Sequence, residues 1–201
     1  MNAVNAIKAL VPDYAKDVRL NLDSTISRST LPQAEALGVA LAAAYATRNA
    51  RLVAALRSAE ELPPEQASAA LAAAALMGMN NVWYPFVEMT GDPELRARPA
   101  QLRMQAYATH AGVDKRLFEL YALAASIVGK CHFCVQSHYA LLKENGMTVD
   151  QLRDAGRIAA VIAAAANALE VESGQRSGRS GLLSCSNDRR LARVADFIAR
   201  A

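Results

Sequence analysis

The sequence predicts an all-α protein. Alanine dominates a chain of 201 residues in which hydrophobic residues make up 53%, charged residues 20% and aromatics only 5%. Ala, Leu, Met and Arg are good helix formers, and segments rich in Val, Ile and Thr are few, so little favours strands. Proline, glycine and capping residues then punctuate the chain at helical intervals. The length suits one domain that buries a core without disulfide staples.

The elements follow in order. After "SRST", Pro32 suits the first turn of a helix, which the pattern carries to about Ala59. A second opens at "LPPEQ" with Pro64 at its start and an Ala/Leu/Met-rich body to about Asn81. A shorter one begins at "GDPEL", with Asp92 as cap and Pro93 behind it. The next runs from Asp114 to Val128, and Gly129 suits a left-handed cap. A helix carrying Cys131 and Cys134 follows and stops at Gly146. In the last, Thr148 and Gln151 have capping-box spacing, and Leu152, Ala155, Ala159, Ile162, Ala166 and Leu169 form a stripe at helical period. So much alanine in one stripe suits close helix packing.

Two halves, about residues 30–90 and 114–172, share one order: apolar helix, helix, polar turn, capped Ala-rich helix. The first half has no Cys or His opposite those of the second. Residues 173–201 differ. "SGQRSGRSG" reads as a flexible linker, and "NDRRLARVADFIARA" places Leu191, Val194, Phe197 and Ile198 on one face of a possible short helix. Cys185 reads as an incidental thiol in that basic tail.

The formal net charge of +3 arises in the tail, where six Arg face two Asp. No basic stripe interleaved with aromatics is present, so a nucleic-acid surface is not expected. The N-terminal "MNAVNAIKALVPDYAKDVRL" spreads its charges and lacks the apolar centre of a signal peptide. The longest apolar run, Ala69 to Met79, is far short of the ~20 residues of a membrane span. The expectation is a soluble, cytoplasmic protein, a setting in which a CxxC is catalytic, redox-active or metal-binding sooner than a structural staple.

The chemistry gathers in "GKCHFCVQSHYALLKENG", Gly129 to Gly146, which holds two of three cysteines and two of three histidines. On a helix from Cys131 to Asn145, Cys131 and Cys134 stand at i, i+3 and Cys134 and His138 at i, i+4, all on one face. Cys131 falls in the first turn, where backbone N–H groups and the helix dipole favour a thiolate, and Lys130 adds positive charge. His138 can take the proton of Cys134. One thiol can then react while the other resolves the product, a redox cycle needing no bound cofactor. Other readings stay open. Buried cysteines on a packed Ala-rich helix are ordinary. Zinc is a rival: Cys131, Cys134 and His138 supply three ligands, with His132, Glu119 or water as a fourth, although no second CxxC or HxxxH pair completes a structural site. A zinc- or redox-sensing interaction module is the non-enzymatic alternative.

Glu119 is the only acid beyond the first turn of "RLFELYALAASIV". It is either a solvated charge or, if Gly129 turns the chain back, the group that orients His138. His110 has no evident partner and reads as a surface residue.

Glu119, eleven residues, Cys131-x-x-Cys134, three residues and His138 fit without a gap the pattern of the alkyl hydroperoxidase AhpD family, within the carboxymuconolactone decarboxylase-like superfamily. The sequence resembles that family also in "LVPDYAKDVRLNL", "ATRN", "AALMGMNNVWY" and "LFELYALAASIVGKCHFC", over about residues 4–172. The resemblance implies an AhpD-like helical domain at 1–172 with an internal repeat, assembled as a homotrimer. It implies an antioxidant thiol-dependent peroxidase with no bound cofactor or metal. Electrons would come from the lipoyl group of a lipoylated 2-oxoacid dehydrogenase E2 subunit and pass to the peroxiredoxin AhpC. In that scheme Cys134 is the peroxidatic thiol that becomes a sulfenic acid. Cys131 resolves it into the Cys131–Cys134 disulfide, and His138 and Glu119 relay protons. A decarboxylase on the same fold is the rival enzyme class, but decarboxylation has no use for a dithiol.

The order of attack is pulled two ways. The helix start and Lys130 lower the pKa of Cys131, while the base at His138 favours attack by Cys134. A low-pKa thiol is the better leaving group, which suits Cys131 as the resolving residue and agrees with the family. Two departures stand out. Phe133 holds the place where a His precedes the second Cys in the family member matched best elsewhere. His132 is one residue, hence about 100° on a helix, away from that place. The basic tail is the other departure, since the family ends near Glu172.

Overall fold

The computed structural model describes residues 3–184, with side chains to residue 173. Cys185 and the amphipathic segment from Leu191 to Ile198 lie outside the described residues. Helices α1 (Ala3–Leu10) and α2 (Lys16–Leu22) flank a 3-10 turn at Asp13–Ala15, and a π turn follows at Asp23–Ser27. Then come α3 (Gln33–Ala46), α4 (Ala50–Arg57), α5 (Pro64–Thr90), α6 (Pro93–Ala97) and α7 (Gln105–Ala108). A 3-10 turn at His110–Gly112 leads to α8 (Lys115–Gly129), α9 (His132–Glu144) and α10 (Val149–Ser184). No strand occurs among the described residues, and no helix among them is long and apolar enough to cross a membrane.

α3 and α8 form the centre. Residues 36–44 of α3 and 117–126 of α8 are all buried, as expected of helices that are apolar all round. They pack on each other, while α5 and α10 each lie against both; α9 rests on α8 and α5. Small residues make this close approach possible. A Cβ at Gly38 would stand 2.4 Å from the Tyr121 ring, and Tyr121, fully buried, donates to Gln66 Oε1 at 3.1 Å.

Several boundaries form for the reasons read from the sequence. Asp92 accepts from the Glu94 N–H and Asp114 from the Leu117 N–H. Thr148 and Gln151 close a reciprocal capping box, with Gln151 Oε1 accepting from Thr148 N–H at 3.0 Å and Thr148 Oγ1 from Gln151 N–H at 3.2 Å. Gly146, at φ 85°, ends α9.

Others differ. The helix expected through Ala59 breaks at Arg48, whose φ is 63°, and restarts because Asn49 caps α4 through the Leu52 N–H at 3.1 Å. α5 does not stop near Asn81 but continues through Pro85 to Thr90. Pro85 forfeits one hydrogen bond, while Val87 is buried and Tyr84 stacks on Phe133; packing outweighs the loss. Gly129 is not the left-handed residue. Lys130 is, at φ 56° and ψ 31°, and Gly129 is needed for space: its Cβ would fall 2.0 Å from Asn81 Nδ2. The linker expected from Ser173 is helical backbone through Ser184, since extending an existing helix is far easier than starting one.

Candidate active site

The turn at Lys130 folds α9 back onto α8, and that reversal brings together residues nineteen apart. His138 Nδ1 lies 2.5 Å from Glu119 Oε2. Glu119 is 1% exposed and His138 7% exposed, so the carboxylate is aimed at the imidazole and not solvated. An ionised carboxylate only accepts, so Nδ1–H donates. Nε2 then carries the lone pair of the neutral ring.

Cys131 is the N-cap of α9 and does not lie within its first turn. Its Sγ accepts the Cys134 N–H at 3.2 Å, and its backbone N–H reaches Ser126 O at 3.3 Å. Sulfur there receives an N–H directly, the setting that stabilises a thiolate. The two cysteines form a disulfide across a Cα–Cα distance of 5.3 Å. Both are buried, at 0% and 3% exposure.

The helical spacing predicts that His138 reaches the sulfur of Cys134. Among the described residues no hydrogen bond joins them; Nε2 faces Met77 Sδ at 3.2 Å. In the disulfide Cys134 carries no proton to exchange with His138. Met77 and Asn80, whose carbonyl lies 4.0 Å from Cys131 Sγ, come from α5, in a stretch that resembles the family, and neither stood out as a site residue in the sequence. Nor did Tyr107 in α7, whose hydroxyl donates to Glu119 Oε1 at 2.6 Å.

These bonds set the charges. Burial alone would raise the Glu119 carboxyl, but the hydrogen bonds from His138 and Tyr107 outweigh it, and the group lies below its ordinary value. The Tyr107 phenol is pushed up to about 12 by burial and by its bond to Glu119. It remains a donor at every working pH.

His132 and Phe133 point away from the dithiol. The Phe133 ring stacks on Tyr84 at 4.4 Å, while exposed His132 stands 3.9 Å from Glu88 Oε1. With Trp83, Val87 and Arg96 they line a groove of about 500 Å³ between α5, α6 and α9. His110 is not a bare surface residue: its ring packs against Tyr107 and Phe118, with centroids 6.4 and 6.2 Å away. Among the described residues no three His, Cys, Asp or Glu side chains gather as metal ligands would.

The profile of the carboxymuconolactone decarboxylase family matches residues 93–172, the stretch that carries Glu119, both cysteines and His138. The chain is 43% identical over 181 residues to the alkyl hydroperoxide reductase AhpD of Rhodospirillum centenum, covering 89% of this chain and 96% of that protein. It is 45% identical to AhpD of Anaeromyxobacter dehalogenans, over 85% of this chain and 92% of the relative. For AhpD of Streptomyces avermitilis the figures are 44%, 85% and 97%. With this identity over nearly the whole length of each relative, the chain belongs to the AhpD family.

Proposed function

We propose that the protein is a peroxide-reducing oxidoreductase in which Cys131 and Cys134 cycle between dithiol and disulfide. One observation carries the reading: two bonded sulfurs at the start of α9, with a carboxylate-held imidazole one turn on. The Cys134 thiolate attacks the outer oxygen of the hydroperoxide, giving Cys134 sulfenic acid and an alkoxide. His138 supplies the proton that makes the alkoxide an alcohol, and the carboxylate of Glu119 stabilises the imidazolium before transfer. Cys131 then attacks the sulfur of the sulfenic acid, forming the disulfide and releasing water. Two electrons and two protons from an external dithiol restore the starting state.

The finer reading is that the donor is a dihydrolipoyl group on an E2 subunit and that AhpC is a second electron acceptor. The relatives' name supports the peroxide chemistry, and the family resemblance supports donor and acceptor. Such a cycle needs a reducing compartment, the cytoplasm. A homotrimer is part of the proposal, supported by Met79, Val82, Phe86 and Met89, exposed at helical spacing along α5. The deciding experiment is peroxide consumption with a dihydrolipoyl domain as the sole reductant. Turnover that needs both cysteines supports the reading, and no turnover with any dithiol ends it.

A further inference from the structure

We propose that Tyr107 is a positioning residue of the relay: its hydroxyl occupies Glu119 Oε1 so that Oε2 serves His138 alone. The buried carboxylate has two donors from two different helices, at 2.6 Å from α7 and 2.5 Å from α9. Tyr107 is itself held by edge-on contact with Phe118, with centroids 6.0 Å apart. Neither bond substitutes for the other. Without the phenol, one buried oxygen is orphaned and the carboxylate becomes more basic. The coupled Glu119–His138 pair then keeps its proton to higher pH, and Nε2 is less available to accept one.

Among the described residues, other groups act on Glu119 or on its donor Tyr107. Lys115 acts on Glu119 from α8, and Tyr84 acts on Tyr107 from α5. The His110 ring touches Tyr107 from the turn after α7. None of them hydrogen-bonds Glu119. The assignment deepens the peroxidase reading and rests on it for the kinetic arm of its test.

That test uses the full chain with Tyr107→Phe, which keeps the ring and removes only the hydroxyl. In the oxidised protein, imidazole NMR follows His138 through a pH titration. In the reduced protein, stopped-flow follows one turnover with peroxide across the same range. The NMR midpoint and the acid limb of the rate should both move up by about one pH unit, the size expected for one hydrogen bond to a charged group. Site-specific 3-fluorotyrosine at 107, a stronger donor, should move both the other way. An unmoved midpoint, with the rate lowered equally at every pH, would reduce Tyr107 to a structural role and overturn the proposal. If the wild type consumes no peroxide, the peroxidase reading falls, while the NMR midpoints still decide what Tyr107 does. Should Tyr107→Phe not fold, the fluorotyrosine shift decides alone.

Discussion

Replacing Glu119 by Gln should separate the relay from the fold. Gln keeps the shape and one acceptor oxygen for Tyr107. Its amide, facing Nδ1, donates where the carboxylate accepted. The imidazole proton must then move to Nε2, toward Met77 Sδ at 3.2 Å, and the ring can no longer take a proton from Cys134. Single-turnover oxidation should slow by roughly 10²–10⁴, the usual size of a lost proton shuttle. The stability cost is small, because two charge-assisted bonds become neutral ones: about 1–2 kcal/mol, or roughly 2–8 °C in Tm at this size. Glu119→Ala differs. It strips the acceptor from two buried donors and leaves a void, costing about 3–5 kcal/mol. The pH dependence has a definite sign. The folded carboxyl lies below its ordinary value of 4.5, so its stabilising effect is full above that pH and fades as pH falls through the lower folded value. Urea unfolding should therefore show the Gln deficit near neutrality, shrinking as the pH falls below 4.5. Oxidation within tenfold of wild type, or a deficit that ignores pH, would refute the orienting role of Glu119.

The order of attack is open to dimedone mass spectrometry: Cys131→Ser should consume one equivalent of peroxide and trap a sulfenic acid at Cys134, whereas Cys134→Ser should give no fast reaction. Labelling of Cys131 in Cys134→Ser at the wild-type rate would reverse the roles. Deleting Ser173 to Ala201 should lower the pI and leave activity within about twofold, under ~0.5 kcal/mol in barrier; a tenfold loss would mean that the tail acts at the site. Light scattering should give a trimer that Val82→Asp or Met89→Lys dissociates, and a monomer at micromolar concentration would remove that proposal.

What was legible in the sequence was local. Asp92, Asp114 and the Thr148–Gln151 pair announce helix starts because a capping side chain satisfies a donor only a few residues away. Cys131, Cys134 and His138 were legible because one helix carries them, whereas Glu119 stayed open between a solvated charge and an orienting group until the family resemblance joined it to them. Met77, Asn80 and Tyr107 were not, since each reaches the site from a helix whose approach depends on packing. The break at Arg48 falls in the polar triplet Thr47-Arg48-Asn49, where Asn49 went unread as a cap, and the end expected near Asn81 fails because burial of Val87 and stacking of Tyr84 carry the helix on through Pro85.

Gly129 has a historical consequence. Its missing side chain leaves room for Asn81, whose amide holds Ala125 O at 3.1 Å just before the chain turns into the dithiol. Even a methyl at 129 collides with that amide, so drift at this position waits on a smaller residue at 81. Two sites on different helices are thereby sterically coupled, and an engineer who wishes to move the cysteines must change both or neither.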